Sequence, residues 1–121
     1  MEVKNTIVLG ASPNPQRYAY KAVERLNNIG HKVFPIGVKT GEIDHVKILE
    51  GQPEIEKVHT VTIYLSPKNQ EGYYKYILNL NAKRVIFNPG AENIGLGSLL
   101  KNKGVEVLNA CTLVMLSTGQ F

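Results

Sequence analysis

An α/β fold, a three-layer doubly wound parallel sheet of Rossmann-like type, is what this sequence predicts, and three observations lead there. Five short segments rich in branched apolar residues recur along its 121 residues, helix-like stretches separate them, and small or polar residues follow nearly every one. Strand and helix in alternation demand right-handed crossovers between parallel strands. Near-continuous apolarity within each strand means burial on both faces, with helices above and below the sheet.

The first strand is Thr6-Ile-Val-Leu9. Behind it, Ala19, Ala22, Val23, Leu26 and Ile29 recur at the spacing of one helix face, and Gly30 ends the pattern. Lys32-Val-Phe-Pro-Ile36 is the second strand. The region from Val38 to Val58 is the least regular, with Val46-Lys-Ile-Leu49 reading as a short edge strand and Gly51-Gln-Pro53 as a turn. Val61-Thr-Ile-Tyr-Leu65 is the third strand. Ser66-Pro67 then supplies an N-cap residue and a proline at the first helical position, and the helix is expected to bury Tyr73, Tyr76, Ile77 and Leu80. Arg84-Val-Ile-Phe87 is the fourth strand. A shorter helix carrying Ile94, Leu96, Leu99 and Leu100 runs to Gly104, although Gly95 and Gly97 weaken its propensity. Val105-Glu-Val-Leu108 is the fifth strand.

The length suits one domain over residues 1–121, and 43% hydrophobic with 20% charged residues is the profile of a globular protein. No apolar run approaches the roughly 20 residues that span a bilayer, so no membrane partner is expected. The N-terminal residues enter the first strand without the basic and then apolar stretch of a secretory signal, which predicts a cytoplasmic location. The single cysteine, Cys111, has no partner for an intrachain disulfide. A net charge of +4 favours anionic partners only mildly, and without a recognition-helix or aromatic-sheet motif no nucleic acid is expected.

In doubly wound sheets ligands lie beyond the carboxyl ends of the strands. After the first strand comes Gly10-Ala-Ser-Pro-Asn-Pro-Gln-Arg17. Gly10 permits a sharp turn, Ser12 offers a hydroxyl, the following helix offers free amides and a positive dipole end, and Arg17 adds a forked donor to the same anion. A strand-to-helix turn without a ligand accounts for the same glycine and prolines. The dinucleotide fingerprint wants glycines where this chain has Ser12 and Pro15, and an acid where it has Gly37, Val38 and Lys39, which disfavours NAD. No Walker A loop is present. Lys39, at the end of the second strand, stands where a ribose-borne phosphate would arrive. NADP and coenzyme A both carry one.

Over nearly its whole length the chain resembles the small single-domain CoA-binding proteins, whose domain is similar to the N-terminal part of the succinyl-CoA synthetase alpha subunit. The likeness is strongest from Gly10 to Gly37, which shows the Gly-Ala-Ser turn, an Asn-Pro-x-Arg loop, a helix ending Leu-x-x-x-Gly and a strand of the Val-x-Pro-Val kind. Ile63-Tyr-Leu-Ser-Pro67, Asn88-Pro-Gly-Ala-Glu-Asn93 and Asn109-Ala-Cys111 resemble further family segments in order. The resemblance implies binding of coenzyme A or an acyl-CoA, with Gly10, Ala11, Ser12 and Arg17 at the diphosphate. It also implies that Pro35 and Lys39 flank the adenosine and its phosphate, that Tyr64, Leu65 and Ser66 line the adenine or pantetheine path, and that Gly90 and Ala91 lie near the thiol-bearing arm. Where the family continues Pro-Val-Asn-Pro, this chain has Pro35-Ile-Gly-Val38.

Catalysis by this chain is not expected. The synthetase's phosphohistidine belongs to a second domain, and His31, His45 and His59 are not spaced with a nucleophile or as metal ligands. Cys111 reads as a packed lone thiol rather than a nucleophile. An NAD(P)-binding sensor or enzyme, and a ligand-free interaction module that pairs with itself or with a partner enzyme, are the alternatives.

Overall fold

The computed structural model describes residues 1–121. The strands are β1 (Thr6–Leu9), β2 (Val33–Ile36), β3 (Glu42–Ile43), β4 (Val46–Lys47), β5 (Thr60–Ile63), β6 (Arg84–Phe87) and β7 (Glu106–Asn109). The helices are α1 (Tyr18–Ile29), α2 (Pro67–Gln70), α3 (Tyr74–Asn79), α4 (Ile94–Asn102) and α5 (Thr112–Ser117), with a 3-10 turn at Glu71–Tyr73. Five strands form one sheet in the order β2-β1-β5-β6-β7, every pair parallel, in register from Thr6 opposite Val33 and Thr60. Chain order reverses between β1 and β5, which puts the crevice of a doubly wound sheet at the ends of those two strands.

Side chains alternate across the sheet, so one strand feeds two cores. Ile7, Leu9, Val61, Ile63, Val85 and Phe87 pack with Ile77, Leu96 and Leu100 of α3 and α4 on one face. Val8 packs with Ala19, Val23 and Leu26 of α1 on the other, together with Ile43 and Ile48. Fully burying each of the Val, Leu, Ile and Phe side chains among them contributes about 1.5–3 kcal/mol. The predicted stripe of α1 faces inward at Ala19, Ala22, Val23 and Leu26, while Ile29, in the last turn at the margin of the stripe, is 41% exposed.

Two elements differ from expectation. The helix after β5 is broken into α2, the 3-10 turn and α3. Gly72 sits in the break, and just before it the fully buried Gln70 turns its side-chain amide inward to donate to the carbonyls of Leu65 and Ala91. The last strand, expected to be buried on both faces, is exposed at Glu106 and Asn109 and half-buried between them, because it is an edge with no neighbour beyond it.

The irregular region contains a hairpin, β3 paired antiparallel with β4 across Asp44 and His45, both at positive φ. Beyond it Leu49 bridges to Ile36 and donates its amide to the Pro35 carbonyl at 2.8 Å. The outer margin of β2 is thereby occupied, at the one strand residue that has no amide of its own to offer.

Candidate functional site

The switch point of the sheet holds a cleft of about 350 Å³. Its first wall grows directly out of β1. At Gly10 the chain adopts a φ of +97°, open to glycine and strained for other residues, with the Leu65 side chain 3.1 Å from where a β-carbon would stand. The amides of Gly10 and Ala11 both donate to the Ile36 carbonyl at 2.9 Å.

The loop that follows binds itself. Asn14 donates its amide to Ser12 Oγ at 3.1 Å, Gln16 donates to Asn14 Oδ1 at 3.0 Å, and the Arg17 amide donates to the Asn14 carbonyl at 3.0 Å. The chain then enters α1 through Arg17 in an extended conformation, with no side-chain cap and no acidic residue in the first turn. The amides of Tyr18, Ala19 and Tyr20 have no partner within the protein. Such amides, with the helix dipole behind them, form an anion-binding end.

Ile36, Gly37, Val38 and Lys39 form the second wall; Tyr64 and Leu65 form the floor at the end of β5, with Tyr73 and Pro89 beyond. Arg17 and Lys39 are the charged residues of the lining, both exposed. Behind the floor, the hydroxyls of Thr62 and Thr112 lie 2.7 Å apart, Asn88 donates to Thr62 at 2.7 Å, and the Thr112 amide donates to Asn88 Oδ1 at 2.9 Å. The Tyr64 hydroxyl is buried without a hydrogen bond of its own. Burial, reinforced by the Cys111 thiol nearby, pushes this phenol well above its ordinary value.

Of the residues singled out in the sequence, Gly10, Ala11, Ser12, Arg17, Lys39, Tyr64 and Leu65 line this one cleft. Pro35 does not: it is buried in β2 opposite Val8, and Ile36 and Gly37 present the strand end instead. Ser66 is exposed at the start of α2. Gly90 is exposed on the turn after β6, its amide donating to Glu92 Oε1 at 2.8 Å, and Ala91 is buried beside it. Tyr18, Tyr73 and Pro89 are lining residues for which sequence pattern gives no role at the site. Tyr18 has one visible signal, its position one residue past Arg17 at the helix tip.

None of the remaining candidates lines the cleft. Cys111 is half-buried at the start of α5. His31 is buried at the opposite end of the sheet, its Nδ1 accepting from the Lys4 amide at 3.0 Å and its ring 5.3 Å from that of Phe121. His59 contacts the Thr60 hydroxyl through Nδ1 at 2.8 Å, and His45 is in the hairpin turn. No helix is long and apolar enough to cross a membrane.

A crystal structure of an uncharacterised protein is 50% identical to this chain over 100% of both, with a TM-score of 0.96. A protein described as cell-free ID.343 from Thermus thermophilus shares the fold at 20% identity and a TM-score of 0.84, covering 98% of this chain and 91% of its own. A hypothetical protein from Pyrococcus horikoshii OT3 does so at 24% identity and 0.84, covering 96% and 83%. No curated protein matches. Residues 4–117 match the family model described as CoA binding domain. That match spans both walls of the cleft and the uncapped helix between them, and by it the chain belongs to the CoA-binding domain family.

Proposed function

We propose that the cleft binds coenzyme A or an acyl-CoA, with the pyrophosphate against the open tip of α1. The observation that carries this reading is the set of unmatched amides at Tyr18, Ala19 and Tyr20, at a helix end with no capping side chain and no acid in its first turn. A pyrophosphate supplies the acceptors those donors lack, and the dipole favours its charge. Arg17 adds a forked donor there, and Lys39 on the facing wall meets the ribose-borne phosphate of the adenosine half.

The cleft, at about 350 Å³, is smaller than the whole cofactor. The pantetheine arm therefore leaves past Pro89 and over Gly90, where nothing stands within 4 Å of an added β-carbon. Membership of the CoA-binding domain family supports this choice of ligand over NADP, as do Ser12 and Pro15 in place of fingerprint glycines. The lining carries cations and phenols rather than a carboxylate or imidazole, which favours holding the cofactor over transforming it, in a cytoplasmic setting where Cys111 remains a thiol. Chemistry on the acyl group then falls to a partner enzyme.

Thermal unfolding with added ligand tests the reading. CoA at 100 times its dissociation constant stabilises the fold by about 2.7 kcal/mol. A shift with NADP or NADH and none with CoA overturns the choice of ligand, and no shift with any of them leaves an interaction module of the same fold.

A further inference from the structure

We propose that Gly37 and Gly41 are positioning residues for the cleft: by carrying no side chain, they let the hairpin arm that bears Lys39 buttress the Gly10–Arg17 loop and hold its open helix tip in place. The inference rests on the proposed binding of CoA and adds residues that the family resemblance does not assign.

The loop has few ties to the rest of the protein. Past Ala11, its hydrogen bonds run within the loop or into the first turn of α1. Its position is set instead at two close approaches. A β-carbon on Gly37 would stand 2.1 Å from the Ala11 carbonyl oxygen, a backbone atom that cannot swing aside. A β-carbon on Gly41 would stand 2.8 Å from Pro13 Cβ. Real β-carbons keep a greater distance than either, so the arm and the loop are in contact only because both positions are glycine.

The arm is itself held firmly. Gly37 donates its amide to the Leu49 carbonyl at 3.0 Å, Leu49 donates to the Pro35 carbonyl at 2.8 Å, and Ile48 donates to the Gly41 carbonyl at 2.9 Å. The Ile48 side chain, 1% exposed, reaches within 3.5 Å of the added carbon at Gly37 and 3.8 Å of that at Gly41. Between the two glycines lies Lys39. One buttress thus fixes the distance between the helix tip and the cation across the cleft, and a site held to about 0.5 Å binds without first having to be ordered.

The test uses Gly41→Ala as the main variant, Gly37→Ala as the more severe one, and Gly51→Ala as control. Gly51 has a positive φ, +72° against +153° at Gly41, and an added carbon there meets nothing within 4 Å, so it reports a side chain on a left-handed turn without a clash. CoA binding is measured by titration calorimetry, and amide hydrogen exchange over residues 12–20 by mass spectrometry. Gly41→Ala is expected to weaken CoA binding by about tenfold and to speed exchange in that segment, with Gly51→Ala indistinguishable from the unmodified protein. Equal affinity and equal exchange in folded Gly41→Ala and Gly51→Ala overturn the proposal. If the unmodified protein does not bind CoA, the binding proposal fails on its own, and exchange at residues 12–20 still decides whether the glycines position the loop. Should Gly37→Ala fail to fold, the comparison of Gly41→Ala with Gly51→Ala decides by itself.

Discussion

Two helices of this protein start just beyond the same end of the sheet and are finished in opposite ways. At α4, Asn93 Oδ1 accepts the Leu96 amide at 3.0 Å, while its Nδ2 donates to Gln70 Oε1 and to the Tyr74 hydroxyl. At α1, Arg17 occupies the corresponding position and caps nothing. The first end is closed by the protein's own polar atoms, and the second has no such closure. Both follow a parallel strand, so topology alone does not choose between them. The choice lies in which side chain stands at the cap and in whether a cleft opens in front of it.

The largest effect expected from breaking this contrast is at α4. Asn93→Ala removes the cap and leaves the Gln70 and Tyr74 side chains short of a partner, at a cost of about 2–3 kcal/mol in chemical denaturation, with CoA affinity changed by less than about threefold. Giving α1 a cap of its own runs the other way. Arg17→Asp is expected to raise stability by about 1 kcal/mol, through a side-chain acceptor and a favourable charge at the dipole, and to weaken CoA binding by more than about tenfold. A variant that loses stability, or binds CoA as before, contradicts the assignment of the open tip. Lys39→Ala acts only on the facing wall: calorimetry should show a loss of about 0.5–1 kcal/mol for CoA and none for dephospho-CoA, with unfolding unchanged.

The smallest effect belongs to the far end of the sheet and serves as a control. Burial first, and then the charges of Lys4 and Arg84, hold the His31 imidazole below its ordinary value of 6.5, so the folded protein favours its neutral form. The unfolded chain takes up that proton first as pH falls. Stability from His31 is therefore full above about pH 6.5 and is lost as pH drops toward the lowered folded value. His59 is shifted in the same direction by burial, with Arg84 next among the causes. Unfolding midpoints should fall between pH 7 and pH 5, and less so in His31→Asn, while Arg17→Asp leaves the slope unchanged.

The strands were legible because each is a run of branched residues with a turn signal behind it, a local property. The wall from Gly10 to Arg17 was legible for the same reason: strand, turn and helix tip are consecutive. Across the cleft, Lys39, Tyr64 and Leu65 were legible as residues that end a strand, and Tyr73 was not. Tyr73 reads as a packing residue at helical spacing, and it is one, against the core under β5 and β6. That it also borders the cleft depends on the break at Gly72, which no periodicity reveals. Pro35 was placed at the ligand by likeness to a family motif, and the register with Val8 shows it inside the sheet instead. Gly37 stood in view as a departure from the family pattern, but its meaning lies in the Ala11 carbonyl, twenty-six positions earlier in the chain and 2.1 Å from the carbon it lacks.

The two margins of the sheet carry a consequence for growth. On the β2 side, Leu49 already takes the Pro35 carbonyl, and proline has no donor to give an incoming chain; on the β7 side the ladder is bare. In the language of polymers this is a monomer with one functional group. Two molecules joined through β7 would use up both bare ladders, so addition of strands along that margin stops at a pair.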